Sequence, residues 1–155
     1  MNLRESLANN TVTSLPRMMP VEIGPCGTIG EAVALMQERR EGCVVITEHG
    51  RPVGVFTERD VLKKVLASNL PADTPIIDAM TRDPQVVQEG DSLASVMKRM
   101  DAGGFRHVPV VDASGHLRGV LSIKRIVEHL VEHFPRAVFN LPPEPNQRQT
   151  AREGA

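Results

Sequence analysis

The chain reads as an α+β protein in which one β-α-β-β-α unit is written twice. Pro20–Met36 lies over Pro84–Met100 at a constant offset. Within that overlap each copy opens a helix at a hydroxyl, Thr28 or Ser92. Each then carries the same apolar stripe: Ile29, Ala32, Val33 and Met36 in one copy, Leu93, Val96, Met97 and Met100 in the other. Apolar residues at i, i+3, i+4 and i+7 bury one helical face. Further on, Gly54-Val55-Phe56-Thr57-Glu58-Arg59-Asp60 and Gly119-Val120-Leu121-Ser122-Ile123-Lys124-Arg125 share one form, a glycine, a short strand ending in a hydroxyl, and a helix start. Self-similarity over this length points to units that bury a face against each other.

Along the chain, residues 1–10 are an N-terminal segment, 11–70 the first repeat, 71–134 the second and 135–155 a tail. Thr28 with Glu31 is a capping-box signature, so a helix is expected from that point. The β-branched runs Cys43-Val44-Val45-Ile46 and Val108-Pro109-Val110-Val111 read as strands. Each ends in a polar turn, Glu48-His49-Gly50 or the one-residue-longer Asp112-Ala113-Ser114-Gly115. The strands of the junction stretches follow, then closing helices with Val61, Leu62, Val65 and Leu66, or Ile126, Val127, Leu130 and Val131, expected to face the core. Three strands with helices on one face are marginal alone, so each unit should cover its twin. Ser68–Pro75 is a turn-rich linker, and Ile76–Met80 reads as a short helical turn. In the tail, Pro135, Pro142, Pro143 and Pro145 forbid a long helix, while Val138, Phe139 and Leu141 suit a partly ordered arm. The helices Thr28–Arg40 and Ser92–Ala102 offer apolar surface to a second subunit.

A chain of 155 residues suffices for one ordinary core. With 18 basic and 19 acidic residues the net charge is -1, and no global field draws it to nucleic acid or an anionic membrane. Aromatic content of 3% also disfavours stacking on single strands. Cys26 and Cys43 belong to no CxxC or Cys/His cluster and read as reduced thiols. No apolar run suits a signal peptide or a membrane span, and a cytoplasmic protein is expected. His129-Leu130-Val131-Glu132-His133 matches H-x-x-E-H, but it closes the second repeat's last helix, away from anything like a peptidase scaffold. No nucleophile has a base at credible spacing, and no glycine-rich phosphate loop occurs, so an enzyme is disfavoured.

The junction of the first repeat carries the chemistry. Thr57 and Asp60 have the spacing of a capping box, the commonplace reading. A carboxylate at the same place also has two acceptor oxygens that suit the neighbouring hydroxyls of a ribose.

The doubled unit, with Gly54–Asp60 closing one copy and Arg106-His107-Val108-Pro109-Val110-Val111-Asp112 inside the other, resembles a tandem pair of cystathionine β-synthase (CBS) domains, a Bateman module, over roughly residues 11–134. That resemblance implies two halves related by a pseudo-twofold and packed sheet to sheet, with two clefts that take adenosine compounds. It also implies a homodimer that regulates an unidentified partner protein and needs no cofactor. By position, Asp60 would take the ribose hydroxyls, and Thr57 and Arg59 would face sugar or phosphate. Arg106 and His107 would approach the phosphates of AMP, ADP or ATP from the other half. In the second copy Arg125 stands where the acid belongs, which removes the ribose clamp. Ser122-Ile123-Lys124-Arg125 resembles the degenerate repeats of the family's kinase-regulating members, which implies that Lys124, beside Ser122, reaches the phosphate in the other cleft. S-adenosylmethionine is the alternative ligand, and a ligand-free dimerisation module the third reading. The three cations weigh against the sulfonium.

Overall fold

The structure, a computed structural model, describes residues 3–16 and 19–133. The proline-rich tail expected from residue 135 lies outside them. In order the elements are α1 (Leu3–Asn9), a 3₁₀ turn (Val12–Ser14), β1 (Glu22–Ile23), α2 (Ile29–Arg39), β2 (Cys43–Glu48) and β3 (Arg51–Thr57). The chain continues through α3 (Glu58–Asp60), a π-helical segment (Val61–Leu66), a second 3₁₀ turn (Ile76–Asp78) and β4 (Thr81–Arg82). It ends with β5 (Val87–Gln88), α4 (Leu93–Gly103), β6 (His107–Val111), β7 (Leu117–Ser122) and α5 (Ile123–His133). The expected duplication is therefore present, with two sheets ordered β1-β2-β3-β4 and β5-β6-β7.

Local chemistry accounts for the helix ends. Thr28 accepts from the Glu31 amide, and the Glu31 carboxylate reaches back to the Thr28 N–H, satisfying two donors that the helix leaves open. Ser92 accepts from the Ser95 amide in the same way. α2 and α4 stop at left-handed residues, Arg40 and Gly104. The first hairpin turns through His49 and Gly50, both at positive φ, a conformation natural to glycine.

Three apolar clusters hold the molecule together. Ile29, Ala32 and Met36 of α2 pack with Val44, Ile46 and Phe56 in the first half. Leu93, Val96 and Met100 pack with Val108, Leu121 and Ile126 in the second. Between the sheets Cys43, Val45, Val55 and Val120 form a third, small cluster, as sheet-to-sheet packing of the halves requires.

The halves also exchange their leading segments. Ile76, Ala79 and Met80, from the start of the second repeat, complete the first core, whereas Val12 and Leu15, from the start of the first, complete the second. Backbone bonds fix the exchange: the Ile76 amide donates to Gly27 and the Leu93 amide to Asn10, at 2.9 Å each. β4 consequently joins the first sheet as a fourth strand against β3.

The closing helix of the first half departs from expectation. Its amides reach back five residues, Ala67 to Leu62 and Leu70 to Val65, which makes a π-helix. Val61 and Val65 pack on the core, but Leu62 and Leu66 are 64% and 65% exposed. In α5, Ile126 and Leu130 are buried while Val127 is 47% exposed. In the pairs Val61/Leu62, Val65/Leu66 and Ile126/Val127 one member faces inward and the other outward, whereas Val131 beside Leu130 is half-buried.

Candidate functional site

β3 runs straight into α3, and the turn between them places Thr57 and Asp60 together. Asp60 is only 7% exposed. Its Oδ2 accepts from the Thr57 amide at 2.9 Å and the Thr57 hydroxyl at 3.2 Å, and the Asp60 amide donates to Thr57 Oγ1 at 3.4 Å. The capping box is thus real, and it uses one face of the carboxylate. Oδ1 meets Lys64 Nζ at 3.0 Å and the Thr81 hydroxyl at 3.5 Å.

Asp60 opens on a cleft of about 500 Å³ between the two halves. The first half lines it with Val55, Thr57, Glu58, Arg59, Leu62 and Lys63. Thr81 of β4 and Phe105, Arg106 and His107 of the second half complete it. Arg59 spans the opening, with Nη1 donating to the Gly104 carbonyl at 3.1 Å. Burial lowers the pKa of half-buried His107 more than Glu58 and Glu41 raise it, and Arg106 lowers it further. His107 is therefore neutral at physiological pH. Cys43, behind the carboxylate, is buried and its thiol is pushed up to about 12, by burial first and then by Asp60 and Glu41. Thiolate chemistry at neutral pH is excluded there.

Of the residues expected at the site, Thr57, Arg59, Asp60, Arg106 and His107 come together in this cleft. Ser122 and Lys124 lie outside its lining. Ser122 pairs with His107 across β6 and β7 and caps its own helix, accepting from the Arg125 amide at 3.1 Å. The Lys124 side chain is 83% exposed and sits 4.0 Å from Glu128. Lys64 and Thr81, the two groups on Asp60 Oδ1, were not foreseen. Lys64 could have been found from its i, i+4 spacing to Asp60.

At the position that mirrors Asp60, Arg125 Nη2 lies 2.9 Å from Glu41 Oε1, an ion pair joining the halves. As for the H-x-x-E-H stretch, His129 is buried in α5. Among the described residues no three His, Cys, Asp or Glu side chains gather as a metal site. No helix among them is long and apolar enough to cross a membrane.

The pseudo-symmetric pair of sheets, with an acid at one junction facing a cleft shared by both halves, defines a class of tandem-repeat module. The CBS domain model matches residues 27–67 and 73–132, and the chain belongs to that family. A CBS domain protein from Pyrobaculum aerophilum, PAE2072, complexed with AMP, is 30% identical with a TM-score of 0.71, over 79% of this chain and 99% of that one. The CBS domain pair of protein MJ0100, in complex with 5'-methylthioadenosine and S-adenosyl-L-methionine, is 25% identical with a TM-score of 0.72, over 79% and 97%. Among curated relatives, a 17.7 kDa protein from the bps2 3' region of Acidianus ambivalens is 37% identical over 71% of this chain and 66% of its own length. The fission-yeast Meiotically up-regulated gene 70 protein is 33% identical over 67% of this chain, but the match spans only 14% of that protein. The chain thus spans less than two thirds of these curated relatives.

Proposed function

We propose that the chain is a regulatory module that binds an adenine nucleotide, AMP, ADP or ATP, in the Asp60 cleft, and that a partner protein reads the resulting change. The observation that carries this reading is a buried carboxylate opening on a cleft whose opposite lip bears Arg106 and His107. Asp60 supplies acceptors for the two ribose hydroxyls, and the guanidinium and imidazole meet the phosphate. Charge-assisted bonds to phosphate are about twice as strong as neutral ones. Lys124 would have to leave Glu128 to join them. The role is regulatory rather than catalytic: ligand shifts the packing of halves or subunits by no more than its difference in affinity for the two arrangements. The module acts as a homodimer, for which Leu62 and Leu66 provide exposed apolar surface.

The test is thermal denaturation and calorimetry with AMP, ADP, ATP and S-adenosylmethionine. A ligand at a hundred times its dissociation constant adds about 2.7 kcal/mol. Asp60→Ala is expected to abolish the shift while the chain stays folded, losing about 1–2 kcal/mol with the cap. Normal AMP binding by that variant would place the site elsewhere. The complex of the MJ0100 pair favours a second reading, S-adenosylmethionine in the same cleft. Arg106→Ala separates the two, since it weakens a phosphate ligand and spares a sulfonium. No shift with any of the four would leave only the ligand-free dimerisation module.

A further inference from the structure

Each oxygen of a carboxylate can accept two hydrogen bonds. Asp60 Oδ2 already has both, from the Thr57 amide and hydroxyl. A ribose hydroxyl arriving at Oδ2 can therefore replace the Thr57 hydroxyl while the amide keeps its hold. At Oδ1 one bond is short, 3.0 Å to Lys64 Nζ, and the other is the long 3.5 Å contact from Thr81. The long contact is the one a second hydroxyl displaces. Lys64 stays, and whether the carboxylate presents both oxygens to a diol depends on what holds it.

Exposed i, i+4 ion pairs contribute little because both side chains are free to move. This pair is differently placed. The carboxylate is buried, and the ammonium makes a second bond of 3.0 Å to the carbonyl of Ala79, a residue 1% exposed at the end of the 3₁₀ turn before β4. Lys64 is thereby fixed at two points, on the acid and on the backbone at the start of the second repeat. In the second half its counterpart is His129, and the counterpart of Asp60 is Arg125. The lysine occurs where the acid does.

We propose that Lys64 is a positioning residue for ribose recognition: held by the Ala79 carbonyl, it orients the Asp60 carboxylate so that both oxygens face a vicinal diol. This rests on the reading of the cleft as an adenosine site. Lys64 acts on the sugar end through Asp60, whereas Arg106 and His107 act at the phosphate end. Its loss should weaken every ribose ligand alike, with or without phosphate.

Calorimetry with AMP, adenosine and 2'-deoxyadenosine, on the full chain and on Lys64→Met, Lys64→Arg and Asp60→Asn, tests this. Lys64→Met is expected to weaken AMP and adenosine by the same factor, about tenfold, as for loss of a bond to a charged group. It should also erase the preference for adenosine over 2'-deoxyadenosine, and Lys64→Arg should restore part of both. A variant that loses thermal stability but keeps that preference would make Lys64 merely structural and overturn the proposal. So would a larger loss for AMP than for adenosine, which would make it a phosphate ligand. If the unaltered chain binds AMP, Asp60→Asn does not, and Lys64→Met does as before, the cleft stands and the lysine's role fails. If the unaltered chain binds none of the three, the adenosine reading itself fails and the role of Lys64 with it.

Discussion

His107 faces Glu58 and Glu41, which favour its charge, yet burial outweighs both and, with Arg106 acting in the same direction, lowers its pKa. The consequence for stability has a definite sign. Above the ordinary histidine value both folded and unfolded chains hold a neutral ring, and it contributes no pH dependence. As pH falls below about 6.5 the unfolded chain takes the proton first, so stability drops until the lowered folded value is passed. Denaturation by urea between pH 7.5 and 5 should show this fall, and His107→Gln should flatten it; equal slopes in both proteins would contradict the assignment. At this scale the sequence told much. A hydroxyl and an acid three residues apart encode their own meeting, because a helix start brings them together whatever the rest of the fold does. Thr81 could not be read in that way. It reaches Asp60 only because β4 is added to the sheet of the preceding repeat.

Helices α2 and α4 were legible from apolar spacing and capping hydroxyls, since both signals are local. The π-helical segment was not. Val61, Leu62, Val65 and Leu66 satisfy the pattern of an ordinary buried helix, and nothing in their spacing reveals that the amides reach back five residues. β4, two residues long, is too short to display alternation. The outward leucines matter for assembly. Leu62 and Leu66 lie one turn apart on the same element, and apolar area removed from water contributes about 25 cal/mol per Å². If the homodimer uses this surface, Leu62→Lys with Leu66→Lys should yield monomers in sedimentation equilibrium while leaving single-chain folding intact. The expected change in folding is small because neither side chain belongs to a core cluster. A double variant that stays dimeric would move the interface to another face.

Across the whole molecule the halves are joined at several separate places. The Leu117 amide donates to the Gly50 carbonyl at 2.8 Å where the two hairpins meet, Arg59 spans to Gly104 at the Asp60 cleft, and Arg125 pairs with Glu41 at the corresponding junction of the second repeat. Duplication was readable in the sequence, but the exchange of leading segments was not, because contacts between residues far apart in the chain leave no local period. Substituting Arg125 by Asp alone would set the new carboxylate against Glu41, so an open second cleft requires Glu41→Gln as well. Even then the two sites would differ. The repeat and the strand registers place Gly42 and Cys43 where the first site has Arg106 and His107, and neither supplies a cation. The double variant Arg125→Asp, Glu41→Gln is therefore expected to gain a second, weaker site for adenosine, at which AMP has no advantage. Calorimetric stoichiometry reads this directly: two adenosines per chain with unequal affinities is the expected outcome, and one adenosine per chain, bound as in the unaltered protein, would show that the missing acid is not what closes the second cleft.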